Sequence, residues 1–110
     1  MGASGGWQAE YQRELDHGRT ARQAGNEGKA RVCARRAAGI LAGEYLRRKG
    51  ELADAWSAYQ RLQALKNSPD LPGRVAEIIS HLTTRVDQEH KLPIEADLLA
   101  EVEELRAALL

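Results

Sequence analysis

The sequence predicts an all-α protein, an antiparallel up-and-down bundle of four or five helices. Three observations predict it. Apolar residues recur at three- and four-residue spacing along most of the chain. Strand signals are nearly absent, since β-branched residues are few and Phe is missing altogether. Gly, Asn and Pro cluster between the periodic segments, and the connections they mark are short, as in bundles of antiparallel neighbours. At 110 residues, with 43% hydrophobic and 29% charged, the chain has the length and composition of one globular domain. Residues 1–6 read as a flexible leader and residues 7–110 as that domain.

The first helix is expected over Trp7–Ala24, with Trp7, Tyr11 and Leu15 on one face. Gly25-Asn26-Glu27-Gly28 then reads as a tight turn, because Gly and Asn both tolerate positive φ. The second helix runs from Lys29 to Lys49 and stops at Gly50. Arg47, Arg48 and Lys49 fall in its last turn, where cations complement the helix dipole. A third helix fits Glu51–Lys66, with Leu52, Ala55, Trp56, Tyr59 and Leu62 as its buried stripe. Asn67 to Gly73 is the longest break, and Pro72 suits a first helical residue. The fourth helix is expected to continue to Glu89 on Val75, Ile78, Ile79, Leu82 and Val86. Pro93 opens a fifth, carrying Ile94, Leu98, Val102, Leu105 and Leu109.

Sixteen basic and sixteen acidic residues cancel, but unevenly along the chain. Residues 1–50 hold ten Lys/Arg against five Asp/Glu; residues 51–110 hold six against eleven. The basic half could face phosphate, or it could lie against the acidic half within one bundle or across a dimer. Zero net charge favours the second reading. No window supplies 18 uninterrupted apolar residues, so no membrane partner is expected. The first residues lack a signal pattern and Cys33 is the single cysteine, which together predict a cytoplasmic, reducing address.

The second helix has two distinctive faces. Ala30, Cys33, Ala34, Ala37, Ala38, Ile40, Leu41 and Tyr45 form a stripe of mostly small groups that lets a neighbour approach closely. Opposite lie Val32, Gly39, Gly43 and Leu46, flanked by Arg35 and Arg36. A helix exposed on that side has no need of small and apolar residues there. This second face is therefore expected to meet another helix or another subunit, as a partner or homodimer surface.

The spacing Gly25-x-Glu27-x-x-Ala30-x-x-x-Ala34-x-x-Ala37-Ala38, followed by Tyr45-Leu46 and Gly50, resembles the HEPN domain family. It departs at Gly39 and Ala42, where members of that family often carry Glu and Lys. The resemblance covers about 30 residues and implies a four- or five-helix bundle that often pairs into homodimers. Some members are ribonucleases using an Arg and a His four to six residues apart, a pattern that Arg85 and His90 match. Arg74 and His81 stand seven apart, which separates them by roughly 10 Å of helical rise. A local likeness to one tetratricopeptide hairpin over Tyr45–Tyr59 lacks the required repeat at 34 residues.

Other chemistry is weakly signalled. Arg22, Arg31 and Arg35 could form a nucleic-acid face, but the aromatic residues lie on predicted buried stripes, away from any base. RNA is thus possible and not favoured. His81, Asp87 and His90 share no i, i+4 face, so no metal is expected. Asp97, Glu101 and Glu104 read as an acidic stripe, solvated or opposing a basic surface, and Cys33 as a buried, inert thiol. No phosphate-binding loop or other cofactor motif is present. The function expected from the sequence is a non-enzymatic bundle acting through a protein partner and self-association. The alternative is a HEPN-like ribonuclease or RNA-binding module using Arg85 and His90.

Overall fold

The structure, a computed structural model, describes residues 6–51, 56–68, 70–84 and 96–110. Among the described residues, five helices make up the bundle: α1 (Trp7–Gln23), α2 (Glu27–Arg48), α3 (Ala58–Lys66), α4 (Gly73–Thr83) and α5 (Leu98–Leu109). Among the described residues there is no strand. The all-α bundle expected from periodicity is the observed fold. α2 occupies its centre and packs against all four other helices.

Local chemistry explains the boundaries. Gly25, at φ 80°, ends α1 in a left-handed cap: its amide donates to Arg22 O at 3.0 Å, and the Asn26 amide donates to Ala21 O at 2.8 Å. Asn26 then caps the next helix, its Oδ1 accepting from the Lys29 amide at 3.0 Å. One residue therefore closes α1 and opens α2, which makes the hairpin very tight. Gly50, at φ 73°, repeats the same cap after α2, with Glu51 donating to Leu46 O at 2.9 Å.

The third helix begins later than expected. Ser57 Oγ accepts from the Gln60 amide at 3.2 Å, and Gln60 Oε1 accepts from the Ser57 amide at 2.8 Å. This capping box starts α3 at Ala58 and leaves Trp56 ahead of the helix. Tyr59, placed on the buried stripe by periodicity, is instead 50% exposed. Leu62, on the same expected stripe, is buried. Leu52 and Ala55 lie outside the described residues.

α4 ends at Thr83 and not near Glu89, because Thr84 is extended (ψ 131°). The hydroxyls of Thr83 and Thr84 bond back to Ile79 O and Ser80 O at 2.8 and 2.6 Å, competing with continued helix. Asp97 opens α5 by accepting from the Ala100 amide, so that helix starts at Leu98 and not at Pro93. Val86, Pro93 and Ile94 lie outside the described residues.

The core joins Tyr11 and Leu15 of α1 to the alanines of α2, Leu62 and Leu65 of α3, Val75, Ile78, Ile79 and Leu82 of α4, and Leu98, Val102 and Leu105 of α5. Each buried Leu or Ile contributes about 1.5–3 kcal/mol relative to exposure. Close approach is sharpest where α2 meets α3. A Cβ built on Gly39 would lie 2.5 Å from Ala58 Cβ and 2.9 Å from its Cα, and one on Gly43 would run into the Arg61 guanidinium. Along this contact the residue numbers rise together, Gly39 with Ala58 and Gly43 with Arg61. Between α4 and α5, and between α1 and α5, they run in opposition, as in the pairs His81–Glu101 and Arg74–Glu104, or Arg22–Asp97 and Arg19–Glu103.

Gly39→Ala should cost about 1–2 kcal/mol, since overpacking against the Ala58 backbone exceeds the gain in helix propensity. Gly28→Ala, at an open position, should instead gain about 0.5 kcal/mol. Urea unfolding midpoints of the two variants will move in opposite directions; a neutral Gly39→Ala would mean that α3 is not seated there.

Candidate functional site

The second face of α2 divides into a covered and an open half. Gly39 and Gly43 are buried beneath Ala58 and Arg61 of α3, and Leu46 is 1% exposed. That half of the expected partner surface is met by a helix of the same chain. Upstream of Gly39 the same side is open. Lys29 and Arg36 are exposed, and Val32, 40% exposed, is one of two large exposed hydrophobic residues among those described. Arg35 turns away from this strip. Its Nε donates to Leu82 O at 2.8 Å and its Nη2 to Thr84 O at 3.0 Å, so it caps the last turn of α4. Burial, and after it the neighbouring Arg31, lowers the pKa of this guanidinium.

The proposed nucleic-acid face is likewise rearranged. Arg22 Nε and Nη2 grip both oxygens of Glu27, at 3.0 and 2.7 Å, and Nη1 reaches Asp97 Oδ1 at 2.9 Å. One guanidinium thus ties the end of α1, the first turn of α2 and the cap of α5. Arg22 and Arg35, two of the three arginines of the possible nucleic-acid face, both make contacts within the chain. Arg31 is half-buried, with no carboxylate within ion-pair distance among the described residues.

Beside these cations, a cleft of about 240 Å³ lies at the hairpin tip, lined by His17, Thr20, Ala21, Ala24, Asn26 and Lys29. It is smaller than the usual ligand pocket of roughly 300–1,000 Å³. Cys33 is buried between α1 and α2, with its Cβ in the path of any side chain at Gly18. Burial, and after it the charge of Glu14, pushes its thiol up. A protonated thiol is a poor nucleophile. Glu14 Oε1 itself is buried with no hydrogen-bond partner among the described residues.

Two buried carboxylates were not singled out by sequence patterns as partners of specific cations. Glu44, 8% exposed, accepts from Arg47 at 2.6 and 3.0 Å and from Arg48 at 2.8 Å. The Arg47 bonds hold its carboxyl below the ordinary range against the opposing effect of burial. Glu101, from the acidic stripe expected to be solvated or to oppose a basic surface, is also buried and joins α5 to α4. Its Oε1 lies 2.8 Å from His81 Nδ1, and its Oε2 lies 3.6 Å from Arg74 Nη2.

Arg74 and His81, too far apart to act directly, thus share an acid from α5. Arg74, however, is also bound to Glu77 and Glu104, and so many carboxylates disfavour an anionic substrate. Arg85 and His90 lie outside the described residues. Among those described, no group of three His, Cys, Asp or Glu side chains could hold a metal ion, and no helix is long and apolar enough to cross a membrane.

The Arg22 knot has a testable pH signature. Its bonds lower the Glu27 carboxyl; at Asp97 partial burial pushes upward, but Arg22 and the Ala100 amide prevail and the net shift is down. A depressed carboxyl stabilises the fold above its unfolded pKa, and that contribution is lost as pH falls through the lower folded value. Arg22→Ala should therefore lose about 1 kcal/mol at neutral pH, the small size reflecting solvent screening. Denaturant titrations should show the gap from wild type closing in acid; a gap independent of pH would refute the assignment. In comparisons with known proteins, the chain matches no family model, no curated protein and no solved structure.

Proposed function

We propose that the protein is a non-enzymatic interaction module that works through protein contact, either self-association or a separate partner, at the uncovered half of α2. The observation that carries this reading is the incomplete cover on one helix face. α3 lies over Gly39 and Gly43, whereas Val32 is left exposed on the same side between Lys29 and Arg36. A single exposed aliphatic residue is ordinary on a protein surface, so the reading rests on the cover by α3 stopping partway along this face. The HEPN resemblance of Gly25–Gly50 supports self-association in the same region. The chemistry of Gly25 and Asn26 also accounts for part of that spacing as helix capping.

The second reading, an RNA binder or ribonuclease using Arg85 and His90, draws support from cations without carboxylate partners among the described residues, Lys29, Arg31 and Arg36. A combined assay separates the two. Sedimentation equilibrium of wild type and Arg36→Glu measures self-association at an exposed position; Leu46 is unsuitable because its burial would make any charge there a folding defect. Cross-linking with mass spectrometry in the cells that make the protein should yield protein–protein links at Lys29. Labelled RNA should stay intact. Cleavage that disappears in His90→Ala would establish the ribonuclease reading instead.

A further inference from the structure

The open half of α2 has a definite chemical character. Lys29 and Arg36 stand two helical turns apart, roughly 10 Å along the axis, and Val32 lies between them. All three are exposed, and neither cation has a carboxylate within ion-pair distance among the described residues. Six other cations are engaged within the chain. Arg19, Arg22, Arg47, Arg48, Lys49 and Arg74 all face acids of this chain. The strip is also continuous with the surface on which α3 lies, since Arg36 and Gly39 are successive positions on one side of α2. A helix already packs on the downstream half, where glycines admit it.

We propose that the open strip Lys29–Val32–Arg36 docks an acidic amphipathic helix of a protein partner, laid along α2 upstream of α3. This rests on the protein-contact reading above and names the class of partner. Two acidic side chains seven residues apart on such a helix would meet Lys29 and Arg36, and an apolar residue midway would cover Val32. Charge complementarity points to an acidic helix, and α5 of a second copy is a poor candidate for it. The acids that a second copy would offer from α5, Glu103 and Glu104, are engaged by its own Arg19 and Arg74. A protein is favoured over RNA because the two cations bracket an aliphatic group, on which no base can stack.

The test uses the full chain and a fluorescent, helix-stapled peptide whose glutamates repeat every seven residues with leucine midway between. Saturable binding by anisotropy is expected. It should weaken about tenfold or more in Lys29→Glu/Arg36→Glu, and several-fold in Val32→Ser at unchanged charge. Lys66→Glu, on α3, should leave it unchanged, and circular dichroism should show every variant folded. A peptide that does not bind, or binds all variants alike, overturns the proposal. So does tighter binding of oligouridylate through the same residues, which would make the strip an RNA surface. A wild-type dimer that Val32→Ser converts to monomer would assign the strip to a second copy. If the peptide fails while protein cross-links persist elsewhere on the chain, protein contact survives and only this docking site is lost.

Discussion

The bundle depends on how closely other helices can approach α2. Ala30, Ala34, Ala37, Ala38 and Ala42 are fully buried, and none projects more than a methyl group toward its neighbours. Large side chains in their place would push the surrounding helices outward and break the contacts that α2 makes with all four of them. Gly18 and Gly39 extend the same constraint to the contacts with Leu99 and Ala58. The bulk that fills the core comes from the partners: Leu62, Leu65, Ile78, Ile79, Leu98 and Leu105. The division is consistent, with a slender central helix and large apolar groups around it.

Charge is organised around that centre. Part of the basic first half does meet the acidic second half inside the molecule, through Arg19 with Glu103, Arg22 with Asp97, and Lys49 with Asp70. Arg22 matters most, because it joins three helix ends with one planar group whose fork matches carboxylate geometry. Arg35 performs a related task without a carboxylate, giving the last carbonyls of α4 the donors they lack. Cations used for structure are not available to partners. Lys29 and Arg36, beside Val32, are among the cations without a carboxylate partner among the described residues.

The order of helices bears on function through one arrangement. α3 advances along α2 in step with it and covers the side of α2 that begins at Gly39. Had the chain folded directly back at Gly50, a different stretch of that side would be open. The candidate docking strip is therefore a product of topology as much as of composition. The Arg74–Glu101–His81 cluster arises the same way, from the opposed pairing of α4 and α5.

Helical periodicity, the Gly25 and Gly50 stops and the small-residue stripe determined the fold class and the central role of α2 from sequence alone, because these are local properties of backbone and side-chain size. Ser57-x-x-Gln60 was legible too, as a capping box, but extending apolar spacing from Glu51 hid it and put Tyr59 inside. The two-sided packing of α2 was readable in Gly39, Gly43 and Leu46. That α3 fills that half, leaving Val32 and Arg36 open, was decided only by tertiary structure. So were the partners of Arg22, Arg35 and Glu101, each supplied by residues distant in the chain. Spacing reports which groups share a face; which face meets which depends on long-range packing, and that set the free surface of this protein.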